Sequence, residues 1–218
     1  MKLQIRSRKI VITPLDRKCL EKLESGEARP ALRACGAALS AENALHLENV
    51  ISERHLDLDF ADEDLRWNTL WIGVNRETRA IVGTIRMLGH PTAAHELTIA
   101  AYPATSWTDP LFAKMFVRMG EWCFSHRIVY YLCVDAKDEL SESFLRNYGF
   151  LYNPQNGCLE RERTSSSWLL SCICFGLATG VALGETFGSM AAGLAIGGIF
   201  GVAVGVMLDM RDKARRKK

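Results

Sequence analysis

VYYLCVDAKDELSESFLRNYGFLYNPQNGCLERE, residues 129–162, is the stretch whose reading decides the fold. Residues 128–134 are apolar without alternation, as in a strand buried on both faces. Residues 138–148 carry helical spacing, and Gly149 stands at the C′ position where a helix closes in the left-handed region. Residues 150–152 and 158–162 flank Asn153-Pro154-Gln155-Asn156-Gly157. That run of turn formers between two short apolar-containing segments predicts a hairpin.

Upstream, residues 111–126 predict an amphipathic helix with Leu111, Phe112, Met115, Phe116, Met119 and Cys123 on one side. Thr108 or Asp109 can cap it, and Pro110 suits its first turn. Residues 69–74 and 80–88 predict two strands joined by Asn75-Arg76-Glu77-Thr78, and residues 95–101 a third. Nearer the N-terminus, Ile10-Val11-Ile12 is a short apolar run and residues 16–23 carry helical spacing. Residues 29–39 are Ala-rich, and Ser40 can cap a helix reaching Ile51. Asp57, Asp59, Asp62, Glu63 and Asp64 read as a solvated acidic loop rather than a cation site. No internal repeat appears in this part.

Downstream the composition changes. Gly176, Gly180, Gly184 and Gly188 form one four-residue ladder, and Gly193, Gly197, Gly201 and Gly205 a second, with Gly198 beside it. On helices each ladder becomes a stripe without side chains. Each Gly costs about 1 kcal/mol relative to Ala in a helix, so this pattern suits water poorly. In lipid it permits close backbone approach, with the two stripes facing each other. The apolar runs at residues 168–184 and 187–208 have 17 and 22 residues around Glu185. A bilayer span takes roughly 17–25 residues. Two spans are therefore expected, with a turn at Glu185-Thr186. Arg161 and Arg163 precede the first run; Arg211, Lys213, Arg215, Arg216, Lys217 and Lys218 follow the second. Positive flanks put both termini on the cytoplasmic side. The expected organisation is a soluble domain at 1–163, a transmembrane hairpin at 164–210 and a basic cytoplasmic tail at 211–218. The expected partners are membrane lipid and a second copy through the glycine hairpin.

The chain holds 27 basic and 25 acidic residues, and the basic excess sits in its tail. The soluble part is nearly neutral and shows no nucleic-acid footprint. Its first residues carry no apolar stretch of the signal-peptide kind. The seven cysteines are scattered, and only Cys172-Ile173-Cys174 approaches a ligand spacing. Reduced thiols without a metal are the expectation.

The element order β-α-α-β-β-β-α-β-α-β-β resembles that of the GNAT N-acetyltransferase superfamily. Residues 128–162 carry the more specific likeness, to the segment in which a core strand feeds a helix ending in F-Y-x-x-x-G-F. The Val134-Asp135-Ala136-Lys137-Asp138 turn and the Asn153-Pro154 return within it most resemble toxin-type members that acetylate aminoacyl-tRNA. The resemblance implies an α+β fold, a GNAT-like mixed central sheet flanked by helices. It also implies acetyl-CoA as cofactor, and tRNA as a partner only through the toxin-type likeness.

Residue by residue, the likeness weakens at the chemistry. The family cradles the coenzyme A pyrophosphate on an R/Q-x-x-G-x-G/A loop, where glycines let backbone N–H groups approach the phosphates. Here the loop reads Pro103-Ala104-Thr105-Ser106-Trp107-Thr108-Asp109-Pro110, without Gly or Arg. Thr105, Ser106 and Thr108 remain as candidate cofactor-binding hydroxyls. The Tyr that protonates the leaving thiolate in the family is matched by Leu145, so Tyr148, one turn on, becomes the candidate acid. Glu96 stands where many members keep a general base, and His95 is expected on the opposite face. Three functions stay open. One is a membrane-anchored domain with a degenerate acyl-CoA site, weak or inactive as an acyltransferase and working as a binding module. A second is an active N-acyltransferase using acetyl-CoA on an amine. The third is a membrane-active glycine-zipper protein regulated by its soluble domain.

Overall fold

The computed structural model describes residues 4–53, 60–134, 139–163, 168–186 and 188–216. The chain divides into two units, Met1–Arg163 and Thr164–Lys218. The acidic stretch falls partly outside the described residues, and residues 135–138 fall wholly outside them.

In the first unit, β1 (Ile5–Arg6) and β2 (Ile10–Pro14) lead into three helices, α1 (Arg17–Glu24), α2 (Ala28–Cys35) and α3 (Ala41–Glu53). Three helices stand where the expected order has two. The reason is local: Gly36 takes φ +77° and closes α2, with the Ala37 N–H on Leu32 O. Four residues later the Ser40 hydroxyl accepts from Asn43 N at 3.2 Å. A short 3-10 turn, Asp62–Trp67, precedes β3 (Leu70–Asn75), β4 (Ile81–Met87) and β5 (Glu96–Pro103). Then come α4 (Pro110–Ser125), β6 (Tyr131–Val134), α5 (Glu139–Asn147), β7 (Leu151–Asn153) and β8 (Cys158–Glu162).

The eight strands form one sheet in the order β1-β2-β3-β4-β5-β6-β8-β7. Every neighbouring pair is antiparallel except β5 and β6. Among the described residues, β5 pairs with β6 only from Glu96 opposite Tyr131 to Ile99 opposite Val134. Its last residues run on against β4, with Ala101 opposite Ile85 and Pro103 opposite Gly83.

Each face of the sheet has its own core. Ile12, Trp71, Ile85, Leu97 and Ile99 join Phe112, Met115 and Met119 of α4 and Leu145 of α5. Leu70, Ile72, Ala100 and Tyr102 pack on the other face with Leu20, Leu32 and Leu47 of the N-terminal helices. Two strand glycines bring α4 close to the sheet. A Cβ at Gly83 would fall 2.5 Å from Phe112 Cδ2, and one at Gly73 would fall 3.1 Å from Met115 Cε. Glycine within a strand marks this kind of close approach. Asn43, 5% exposed, ties α3 to the sheet by accepting from Ile81 N at 3.0 Å and donating to Ala38 O at 2.9 Å. Both of its polar ends are satisfied, as burial requires.

The second unit contains α6 (Trp168–Thr186) and α7 (Met190–Arg216). Their glycines meet. A Cβ at Gly176 would fall 2.9 Å from Gly201 Cα, one at Gly180 3.1 Å from Gly197 Cα, and one at Gly184 2.9 Å from Met190 Cα. No side chain fits between the helices at these points. Between them Gly188 takes φ +73°, and the Ser189 N–H returns to Gly184 O at 2.9 Å. Among the described residues, one stretch, Met190–Leu208, is long and apolar enough to cross a membrane. Ser171–Thr186 is a shorter apolar helix. The expected pair of full-length spans is thus met in length by the second alone. Helix α7 also continues to Arg216, so basic residues 211–216 extend the helix instead of leaving it.

Candidate functional site

The loop that would cradle a cofactor phosphate lies between β5 and α4, and its polar groups are turned on one another. Thr105 Oγ1 donates to Asp109 Oδ2 at 3.1 Å. Ser106 Oγ and Thr108 Oγ1 lie 2.7 Å apart, and Ser106 Oγ also accepts from Thr108 N at 3.1 Å. Asp109 Oδ1 accepts from Leu111 N at 2.7 Å and so caps α4. Pro110 brings no N–H to the first turn. The positive end of the helix dipole is therefore already answered by the chain's own carboxylate. All three candidate hydroxyls are exposed and engaged within the loop.

Tyr148 follows the last turn of α5, beside this loop. Its ring packs on Phe144, with centroids 4.7 Å apart, and on Phe116 at 6.3 Å. Two grooves meet at Thr108, Ala113 and Tyr148. One, of about 390 Å³, is walled by Trp107, Leu140 and Phe144. The other, of about 580 Å³, carries Lys114, Arg118 and Glu121. Arg118 Nη1 is 2.8 Å from Glu121 Oε2, so that pair is largely self-neutralised. Leu145 is fully buried in the α4-side core and reaches neither groove. Tyr148 and Thr108 are thus brought together.

Glu96 lies elsewhere. It begins β5 and shares a sheet face with Thr98, Ala100 and Tyr102, whereas Leu97 and Ile99 point to the α4 side. The end of that strand, Pro103, lies seven positions on, a distance of about 23 Å. The candidate base and acid, Glu96 and Tyr148, line no common groove among those described. His95 takes φ +65° outside the strand, and its Nδ1 lies 3.2 Å from Ile128 O. The alternation that would set it opposite Glu96 is therefore broken at that residue.

Two residues that the sequence placed in the hairpin turn, with no role in the site, reach the Glu96 region. Asn156 Nδ2, in the β7–β8 turn, donates to Glu96 Oε1 at 3.1 Å. Asn153 Nδ2 donates to Glu160 Oε2 at 2.7 Å, and Glu160 sits opposite Cys133 of β6. A turn 60 residues away leaves no local signal for such a contact. Burial pushes the Cys133 thiol far up, and the Cys158 thiol, Glu160 and Glu96 add to the rise. Cys158 is also raised, first by burial. Neither thiol is set up as a nucleophile. Among the described residues no group of three or more His, Cys, Asp or Glu could hold a metal ion.

Antiparallel β2 to β5, a parallel β5–β6 step carrying α4, and a closing hairpin whose second strand, β8, lies beside β6 complete the arrangement. The architecture fits a GNAT fold. No family model and no curated protein matches the chain. Similar solved structures include a protein described as a ribosomal-protein-serine acetyltransferase from Vibrio cholerae. It is 12% identical, with 74% of this chain and 98% of that one covered and a TM-score of 0.46. Another is the ribosomal-protein-S5-alanine acetyltransferase from Vibrio fischeri, 10% identical, covering 75% and 98%, with a TM-score of 0.43. A third is a GNAT-family acetyltransferase from Bacillus anthracis, 9% identical, covering 72% and 94%, with a TM-score of 0.42. At such identities and scores the fold reading rests on the strand order.

Proposed function

We propose that this chain is a GNAT-like domain with a degenerate acyl-CoA site, held at the cytoplasmic membrane face by α6 and α7 and working there as a binding module. The observation that carries the reading is the Asp109 carboxylate on the first turn of α4, 2.7 Å from Leu111 N. Where the GNAT fold presents backbone N–H groups to a pyrophosphate, this chain presents a negative charge and a proline. Each charge-assisted hydrogen bond to a phosphate is worth about 1.5–3 kcal/mol. Losing two, with a carboxylate in their place, weakens acetyl-CoA by about 100-fold or more. Buried Leu145 supports the same reading, because it has no proton for a leaving thiolate.

The membrane part of the proposal has both helices embedded and both termini cytoplasmic. Six contacting glycines cost about 6 kcal/mol in helix propensity, which only close packing repays. Phe175, Ile199, Phe200 and Met207 are each at least 70% exposed, a surface suited to lipid. Self-association would then fall to these outward faces, since the glycine stripes are engaged within one chain.

Isothermal calorimetry of the full chain in lipid nanodiscs, titrated with acetyl-CoA, tests the first part; no micromolar binding is expected. The second reading, an active N-acyltransferase, draws on Tyr148 standing at the groove beside Thr108 and on Glu96 being held by Asn156. Nearness to toxin-type members, with a tRNA substrate, belongs to that reading alone. Micromolar binding together with amine-dependent thiol release, lost in Glu96→Gln, would install it in place of the first.

A further inference from the structure

The chain leaves its first unit at one defined end of the sheet. Strand β8 runs antiparallel to β6, so Glu162 lies opposite Tyr131, and Tyr131 lies opposite Glu96 at the start of β5. Arg163 N then donates to Tyr130 O at 2.7 Å. Five residues on, the apolar run of α6 opens at Trp168. Five extended residues reach about 18 Å at most. With α6 entering a bilayer at Trp168, this end of the sheet is held within that reach of the headgroups. Pro103, at the far end of β5, stands about 23 Å beyond it.

The near end is built for such a layer. His126 O accepts from Val129 N at 3.1 Å, which closes a tight turn with Arg127 and Ile128 at its tip. Turn tips ordinarily carry Gly, Pro, Asn, Asp or Ser. Here the tip pairs an exposed arginine with an isoleucine that is 39% exposed. Beside it, Tyr130 N and Tyr131 N both donate to His95 O, at 2.9 and 3.1 Å. The His95 and Tyr130 rings meet edge to face with centroids 4.9 Å apart, and the Arg163 guanidinium lies 6.0 Å from the Tyr130 centroid. An amphipathic aromatic among arginines, next to an exposed aliphatic tip, suits a membrane–water interface. Glu96 and Glu162 are the acids of these strand ends, and Asn156 engages Glu96 at 3.1 Å. Arg127, Arg161 and Arg163 leave a small basic excess. The opposite end of the sheet is more basic, with Arg8, Lys9, Arg76 and Arg79 all exposed, but the short tether does not bring it to the same bilayer unless the domain tips over.

We propose that the 126–129 turn, with Tyr130 and Arg163, is a docking surface for an anionic lipid bilayer. Ile128 enters the headgroup layer, and Arg127 and Arg163 meet lipid phosphates. This rests on the reading that α6 and α7 lie in that bilayer. The first unit then stands on the membrane by the end where β5 begins. The 103–110 loop and the groove at Thr108 open to the cytosol, where a soluble ligand reaches them without crossing the headgroups.

The test uses the full chain reconstituted in phosphatidylcholine–phosphatidylglycerol vesicles, with the photo-crosslinker benzoylphenylalanine at position 128 or at position 78 of the exposed β3–β4 turn. The vesicles are floated and irradiated, and the chain is weighed intact. A lipid adduct is expected at position 128 in several-fold excess over position 78. Vesicles of phosphatidylcholine alone, or Arg127→Glu combined with Arg163→Glu, should each cut the adduct at 128 by about fivefold or more. A chain that floats but gives no adduct at 128, or as much or more at 78, overturns the proposal alone. So does an adduct at 128 that neither change of charge weakens. A chain that fails to float overturns the membrane reading and the proposal with it.

Discussion

Asp109 Oδ1 lies 2.7 Å from the backbone nitrogen of Leu111, so α4 carries its own anion at the end where a phosphate would dock. Asn in the same place keeps a side-chain oxygen for the cap and removes the charge. Asp109→Asn is therefore expected to leave thermal stability within about 0.5 kcal/mol while strengthening acetyl-CoA binding by up to about tenfold. Calorimetry on both forms checks this. Unchanged affinity would mean that the missing N–H cradle, and not the charge, limits binding.

Leu145 stands where the GNAT resemblance sets the acid tyrosine, and it is fully buried. Restoring the tyrosine there would push a hydroxyl into the α4-side core. Leu145→Tyr is expected to lose about 1–3 kcal/mol of stability and to gain no thiol release. Denaturant unfolding and a thiol-release assay decide it, and a stable, active variant would show that position 145 can face the cleft.

His46 Nε2 lies 3.1 Å from the buried Thr84 hydroxyl, and burial lowers the imidazole to about 4 from its ordinary 6.5. Unfolded chains bind the proton below pH 6.5, and the folded one only near pH 4. The stabilisation is thus complete above pH 6.5 and is lost as pH falls through this window. The loss should reach about 2–3 kcal/mol by pH 4. Unfolding free energies measured from pH 7.5 to 4 should show a slope that His46→Gln flattens.

Gly83 has Phe112 Cδ2 at 2.5 Å and Tyr102 O at 2.9 Å from its missing Cβ. The second of these is backbone and cannot turn aside. Gly83→Val is expected to destabilise the first unit by about 3 kcal/mol. Thermal unfolding followed by near-UV circular dichroism, sensitive to the tryptophans, reads this out.

Gly180 would place a Cβ 3.1 Å from both Gly193 C and Gly197 Cα, whereas Ala195 is exposed. Gly180→Leu should separate α6 from α7 and Ala195→Leu should not. Cross-linking of cysteine pairs introduced across the two helices measures the separation, and equal effects would make the ladder incidental.

What residues 129–162 and their neighbours determined by themselves was local. A cap at Thr108 or Asp109, the Pro110 start and the Gly149 close, at φ +80°, depend on backbone geometry within a few residues and were readable in place, and the structure assigns the cap to Asp109. So was the register of the glycine ladders, because helical periodicity alone decides which residues share a face. Tertiary structure decided the rest. The sequence offered Thr105, Ser106 and Thr108 as free donors, but their partners became visible only when the loop closed on itself. It offered Glu96 without Asn156, which the β7–β8 turn delivers across 60 residues. It offered Tyr148 as the acid in place of Leu145 without saying where either side chain lies, and the packing of α5 buried Leu145 and left Tyr148 at the groove. Local signals fix torsions; which side chains meet depends on the path of the whole chain, and that path is chosen by the two cores that the sheet separates.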